Sequence, residues 1–230
     1  MSSGKILALD SSTEYCSVAL FIDGEYADRC ERAEQRHSEL LLPMIDAVLT
    51  QGSLTLRDLD AIAFGAGPGS FTGLRIACGV AQGLAFCASR PVVAVPTLLA
   101  LAQATDAARV LAILDARMGE IYLAAYEKID ALWQIVIAPC LCRPDAAPPL
   151  PGGNWFGVGS GFAAHGEKLR QHYADALGAV DAQAYPRARH IATLGHAEWQ
   201  SGRAVCATDA LPLYIRDKVA FTESERRAAS

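Results

Sequence analysis

The order of strands and helices along the chain repeats, and this repetition constrains the possible fold more than any other feature. In the first half, short apolar runs predict three strands, at 5–10, 16–22 and 25–31. Helical spacing follows at 38–51, and the half is completed by a strand at 59–64, a helix at 71–88, a strand at 92–95 and a helix from 97.

A second meander of strands opens at Val110. Its apolar runs predict strands at 110–114, 121–126, 132–137 and 155–158, with helices after Gly161 and over 190–201. The two halves share no repeat at the level of single residues. Two successive halves with the same opening nevertheless predict two related lobes.

Composition narrows the class of protein. The chain has 230 residues, of which 52% are hydrophobic, and this apolar content excludes intrinsic disorder. A formal net charge of −5 argues against nucleic-acid binding through bulk charge. Arg75 and Gln82 interrupt the most apolar region, so no uninterrupted apolar segment reaches the ~20 residues that a membrane-spanning helix needs. We therefore expect a cytoplasmic protein without membrane contact.

Cysteine and histidine spacing indicates no metal site. Seven cysteines are scattered without a C-x-x-C pair, and no two of the five histidines have H-x-x-x-H spacing. The nucleophile elbow G-x-S-x-G is absent from the sequence as well. We expect no catalytic residue and no metal ligand in this chain.

A glycine-rich loop between a strand and a helix is the sharpest motif, at 65–75. Such a loop can bind phosphate through free amides, or it can be a tight turn that brings the helix close to the sheet. Gly69 stands where a P-loop has lysine, and Thr72 where the dinucleotide fingerprint has its third glycine. Neither known phosphate template fits, and both interpretations stay open.

The helix after this loop is rich in small residues, among them Gly73, Ala77, Gly79, Ala81 and Gly83. Each helical glycine costs ~1 kcal/mol relative to alanine, so a closely packed neighbour should offset the cost. That neighbour is either another part of the chain or a second protein. If it is a second protein, we expect Gly79→Leu or Ala81→Trp to abolish pairing without unfolding the chain.

A polar turn ends the first strand, with Asp10, Ser11, Ser12 and Thr13 in succession. A strand, a turn with hydroxyl groups and a returning strand is how actin, sugar kinases and Hsp70 hold nucleotide phosphates. Serine, threonine and aspartate are also ordinary turn residues. The four residues are therefore only weak candidates for nucleotide binding.

Five segments together resemble the TsaB (YeaZ) family, namely 7–13, 37–43, 67–75, 115–122 and 212–216. The resemblance implies an α/β, actin-like (ASKHA, ribonuclease H-like) fold of two lobes, each a mixed sheet with helices. It places the first lobe at 1–106 and the second at 107–211, and residues 212–230 would pack back on the first lobe.

The resemblance also implies a function. Members of this family are non-catalytic scaffold partners of their paralogue TsaD, required for threonylcarbamoyl transfer to the adenosine next to the anticodon in tRNAs that read codons beginning with A. TsaD binds metal through an H-x-x-x-H pair, whereas here His37 is followed four residues later by Leu41. ATP and metal are thus expected on partner subunits and not on this chain.

The expected partners are TsaD in a heterodimer and TsaE in a ternary complex, with tRNA contacted only indirectly. The same surface can support a homodimer when TsaD is missing, and the sequence leaves monomer and homodimer open for the chain alone. The helices of the first lobe would form the interface, through Leu41, Ile45, Val48, Thr72, Ile76, Gly79, Val80 and Gly83. The alternative is an enzyme, a nucleotide-dependent transferase or ATPase that uses residues 10–13 and 65–69. No lysine lies in these loops to bind phosphate.

Overall fold

The structure is a computed structural model that describes residues 3–216. Within them, ten strands form two five-stranded mixed sheets. The first sheet has the strand order β3-β2-β1-β4-β5, with β1 (Lys5–Asp10), β2 (Tyr15–Ile22), β3 (Glu25–Arg32), β4 (Ala61–Gly67) and β5 (Val92–Pro96). The second has the order β10-β9-β6-β7-β8, with β6 (Arg109–Arg117), β7 (Glu120–Ile129), β8 (Leu132–Cys142), β9 (Trp155–Val158) and β10 (Leu177–Asp181).

Both sheets are built on the same plan, an antiparallel meander extended by parallel strands. In the first sheet, β1 and β4 are buried along nearly their whole length, as expected of central strands covered on both faces. The predicted two-lobed α/β fold is confirmed. Strand β10 was missed from the sequence because its five residues include glycine and are mostly exposed.

Helices cover both faces of the first sheet. Helices α1 (His37–Gln51) and α2 (Phe71–Ala88) lie on one face, over β2 and β4. Helix α5 (Ala188–Gln200) covers the other, where Ile191 packs with Ile6 of β1. The predicted lobe limits place this helix in the second lobe, because it follows that lobe along the chain, whereas its buried side contacts the first sheet.

The second sheet is covered by α3 (Thr97–Gln103) and α4 (Ser160–Tyr173). Helix α3 packs with β6 and β7, and α4 contributes Phe162 and Leu169 to the core on the opposite face. The limits proposed for the lobes at 106/107 and 211/212 stay predictions.

Within the described residues, the chain crosses between the lobes once more through residues 210–216, which we call the strap. The Leu213 amide donates to the carbonyl of Ala66 in the first lobe at 2.7 Å. Arg216 forms an ion pair with Glu120 of the second lobe at 2.7 Å and donates to the carbonyl of Ala116 at 3.1 Å. Residues 217–230 of the predicted terminal segment lie outside the described residues.

Candidate partner interface

The turn between β1 and β2 is docked onto the start of helix α2. Asp10, Ser11 and Ser12 are buried. The Ser11 hydroxyl donates to the carbonyl of Gly73 at 2.8 Å, and the Ser70 amide donates to the carbonyl of Ser12 at 2.7 Å. In this arrangement the three side chains have almost no exposed surface to offer a phosphate.

Asp10 is the most unusual group in this turn. Its Oδ2 accepts from the Ser12 hydroxyl at 2.9 Å, while Oδ1 is buried without a hydrogen-bond partner. Burial raises the pKa of Asp10 to about 7, against the lowering effect of the two hydrogen bonds from Ser12. A Cβ atom on Gly65 would overlap Oδ1, so no room exists on that side for a ligand.

The glycine-rich loop makes the same close contacts. A Cβ atom on Gly69 would lie 2.5 Å from the carbonyl oxygen of Ser12, and one on Gly73 would overlap the carbonyl oxygen of Ser11. Ser70 caps helix α2 by accepting from the Gly73 amide at 3.4 Å, as its position predicts. These contacts favour the tight turn over the phosphate-binding loop.

His37 and Thr13 connect α1 to the same turn. The His37 side chain is buried, and its Nε2 donates to the carbonyl of Thr13 at 2.8 Å, because a carbonyl oxygen can only accept. Thr13 itself is half-buried, and its hydroxyl accepts from the Tyr15 amide.

A pair of metal-binding histidines four residues apart cannot form at His37, because the residue four positions later is Leu41. One ring nitrogen of His37, Nε2, already donates to the Thr13 carbonyl. A metal on the other nitrogen would need a second protein ligand, and Leu41, four residues later, cannot supply one. Across residues 3–216, no three histidine, cysteine or carboxylate side chains lie close enough to hold an ion.

Three of the predicted interface residues lie inside the first lobe. Leu41, Ile45 and Val48 of α1 are buried in the core between the helices and the sheet. The prediction that they contact a partner is wrong, because their apolar face meets the chain's own sheet. The exposed side of α1 carries Leu42 and Asp46 instead.

Helix α2 has two contrasting faces. Ala77, Ala81 and Ala85 are buried against the first sheet, which explains why they are small. On the opposite face, Gly79 and Gly83 are exposed, and a Cβ atom on either would meet no atom within 4 Å. Packing inside the chain therefore gives no reason for these two glycines.

The other predicted residues of α2 frame this face. Thr72 is exposed, while Ile76 and Val80 are half-buried and pack against the core. Phe86, which sequence analysis did not select, is 75% exposed and continues the same face. Among the described helices, α2 is the one whose length and apolarity would allow a membrane crossing, a test that core helices of soluble proteins also pass.

A second group missed by sequence analysis lies where α2 meets the strap. The Arg75 guanidinium lies 3.7 Å from the ring centroid of Phe71, and its Nε donates to the Tyr214 hydroxyl at 3.0 Å. Leu211, which also belongs to the strap, is 69% exposed. Arg75 and Tyr214 were both within segments of the family resemblance, which was the available signal.

Comparison with known proteins agrees with this architecture. The family model of TsaD, tRNA N6-adenosine threonylcarbamoyltransferase, matches residues 30–223. A TsaB protein of Haemophilus influenzae, named for tRNA threonylcarbamoyladenosine biosynthesis, is 38% identical over 96% of this chain and 97% of its own length. The TsaB protein of Escherichia coli is 36% identical over 94% of this chain and 96% of its own length.

Two solved structures from Pseudomonas aeruginosa have the same fold. One, YeaZ, superposes with a TM-score of 0.85 at 40% identity and covers 92% of this chain and 99% of its own. The other, described as an uncharacterized protein similar to peptidase YEAZ, gives 0.86 at 40% identity, covering 93% and 100%.

The two mixed sheets, their helices and the docked β1–β2 turn define a two-lobed protein of the actin-like class. Identity above one third over nearly the whole length specifies the group within that class. The chain belongs to the TsaB (YeaZ) family, within the wider group that the TsaD model describes.

Proposed function

We propose that this chain is a cytoplasmic, non-catalytic partner subunit of TsaD, required for threonylcarbamoyl transfer to the adenosine beside the anticodon of tRNAs reading codons that begin with A. The observation that carries the proposal is the exposed face of α2, where Gly79 and Gly83 border open space. Exposed glycines in a helix are costly, and close approach of a second backbone would explain them.

Two further observations support the proposal. The similar proteins of Haemophilus influenzae and Escherichia coli are named for tRNA threonylcarbamoyladenosine biosynthesis. The metal pair of TsaD is replaced by a structural His37 and a core Leu41. ATP and metal then belong to partner subunits, with TsaE as the third component.

An omission assay tests the function. tRNA threonylcarbamoylation is reconstituted from the adenylate-forming enzyme, TsaD, TsaE, ATP, threonine and bicarbonate, with and without this chain. We expect modification only when the chain is present, and none from the chain without TsaD. Undiminished modification on omission would refute a required partner role.

Gly79→Leu tests the surface. The added side chain would hold a partner helix away from α2, and we expect binding to TsaD to be lost while the thermal melt of the isolated chain stays near that of wild type. Gly166→Leu is the matched control, because Gly166 lies in α4 and its Cβ position is also open. Equal binding by both variants would place the interface elsewhere.

The alternative is a nucleotide-dependent transferase or ATPase. It would need Asp10 and the glycine-rich loop to receive phosphate. The Ser11 hydroxyl and the Ser70 amide are instead bonded to the carbonyl groups of Gly73 and Ser12, and Oδ2 of Asp10 accepts from Ser12. Titration of the isolated chain with ATP and magnesium distinguishes the two. We expect no saturable binding below millimolar nucleotide, and micromolar affinity would favour the enzyme.

A further inference from the structure

We propose that the partner subunit covers the strap as well as helix α2, through an exposed group that we call the strap patch, formed by Arg75, Met118, Leu211, Leu213 and Tyr214. The inference rests on the proposed function and extends it, because it adds a second contact region that reaches both lobes.

The exposed face of α2 is too small to be the whole interface. From Thr72 to Phe86 it spans roughly 20 Å, and with a helix diameter of about 10 Å it offers a face of roughly 200 Å². Stable protein–protein interfaces bury about 800 Å² on each partner. A subunit seated on α2 must therefore cover neighbouring surface.

The strap is the surface that continues this face along one flank of α2. Three side chains of α2 hold it there: Arg75 bonds to the Tyr214 hydroxyl, the Cys78 thiol donates to the Ala210 carbonyl at 3.4 Å, and the Gln82 amide donates to the same carbonyl at 2.9 Å. Patch and helix face thus form one continuous surface.

The strap patch combines exposed apolar side chains with a fixed arginine, as the central part of a protein–protein interface does. Leu211 is 69% exposed, Met118 48% and Tyr214 45%. Such a group of exposed apolar side chains is typical of a surface that binds another protein. The Arg75 guanidinium is already fixed on Phe71 and Tyr214, so little side-chain entropy would be lost on binding. Arginine and tyrosine are enriched among residues that dominate binding energy.

The patch is also held rigidly with respect to both lobes. The Leu213 amide is bonded to Ala66 of the first lobe, and Arg216, 10% exposed, is paired with Glu120 of the second. Met118 belongs to the same β6–β7 hairpin as Glu120 and receives a bond from Arg216. A subunit on the strap patch would therefore contact surface belonging to both lobes.

The test compares the Kd for TsaD of full-length wild type, Gly79→Leu, Leu211→Ser and Tyr214→Ser. We expect both strap variants to raise the Kd at least tenfold, since each removes a large apolar side chain from the interface. Ile135→Ser is the control, because Ile135 is 63% exposed on β8 of the second lobe, and its Kd should stay within twofold of wild type. Thermal melts verify that each variant is folded.

The outcomes separate the inference from the proposed function. If Gly79→Leu weakens binding and both strap variants bind like wild type, the strap patch is wrong and the partner role stands. If the strap variants weaken binding and Gly79→Leu does not, the patch is supported and the α2 face is refuted. If wild type does not bind TsaD, both fail. Strap variants that change only self-association would assign the patch to a second copy of this chain and overturn the proposal.

Discussion

On one side of helix α2, Gly73 touches the carbonyl oxygen of Ser11 and Ala81 is enclosed by the core, whereas on the other side Gly79 and Gly83 face open space. The four residues look alike in the sequence. Gly73 and Ala81 are small because the fold leaves no room for larger side chains. Gly79 and Gly83 are small although the fold leaves room for larger side chains there. The difference separates residues that the chain requires for folding from those left for a partner.

The largest effect is expected at Ala81, whose side chain is completely buried. Ala81→Trp has no space in the core between α2 and the sheet, and it should lower the free energy of unfolding by about 5 kcal/mol or more. Circular dichroism and urea denaturation measure this, with Gly79→Trp as the exposed control. A folded Ala81→Trp protein would show that the two faces of α2 do not differ as described. The sequence alone predicted that Ala81→Trp would abolish pairing and leave the fold intact. Because Ala81 is buried, we now expect this variant to unfold instead.

The next largest effect is expected on the pH dependence of the free energy of unfolding, through the ionisation of Asp10. Its pKa is about 7 in the folded state and 3.8 when exposed, so burial favours the protonated form. Below pH 4 both states are protonated and no penalty arises. Between pH 4 and 7 the unfolded state ionises first, and the free energy of unfolding falls by on the order of 4 kcal/mol.

The measurement for Asp10 is the free energy of unfolding from pH 4.5 to 8, for wild type and Asp10→Asn. The amide cannot ionise, and its oxygen can still accept from Ser12. We expect the variant to lose less stability as pH rises. Parallel curves for the two proteins would contradict a buried carboxyl group that titrates near neutral pH.

Gly73→Ala should cost about 3 kcal/mol, because the added methyl group overlaps the backbone of Ser11 and backbone cannot move as a flexible side chain can. Urea denaturation gives the difference. The contacts of the β1–β2 turn with α2 would be called into question if this variant were as stable as wild type.

The smallest change is expected at the exposed face, and its sign is opposite. Gly79→Ala should stabilise the isolated chain by about 1 kcal/mol, since alanine is the better helix former and its methyl group meets nothing. The same variant should weaken TsaD binding. A Gly79→Ala protein that binds TsaD more tightly than wild type would contradict close backbone approach at this site.

Sequence reasoning succeeded where local chemistry decides the structure. The repeated meanders predicted two related lobes, and the structure has a mixed sheet in each. It failed where an apolar helix face could pack either on the chain's own sheet or on a second protein. Periodicity places Leu41, Ile45 and Val48 on one face of α1, but the same stripe is expected of a core helix and of an interface helix. Only the sheet beneath α1 decides between them.

The position of α5 failed for a related reason. Its apolar side was evident from the sequence, yet chain order assigned it to the lobe that precedes it, and long-range packing put it on the first sheet. The strap patch could not be found from local patterns because Met118, Arg75 and Tyr214 come from three distant segments.

The return of α5 to the first sheet also affects how the protein is made. One face of that sheet, including Ile6 and Phe21, stays uncovered until residues 188–200 have been synthesised. At roughly 5–20 residues per second, a ribosome takes several seconds to pass through the second lobe first. During that interval one apolar face of the first sheet is without its covering helix, and the first lobe is completed only near the end of translation.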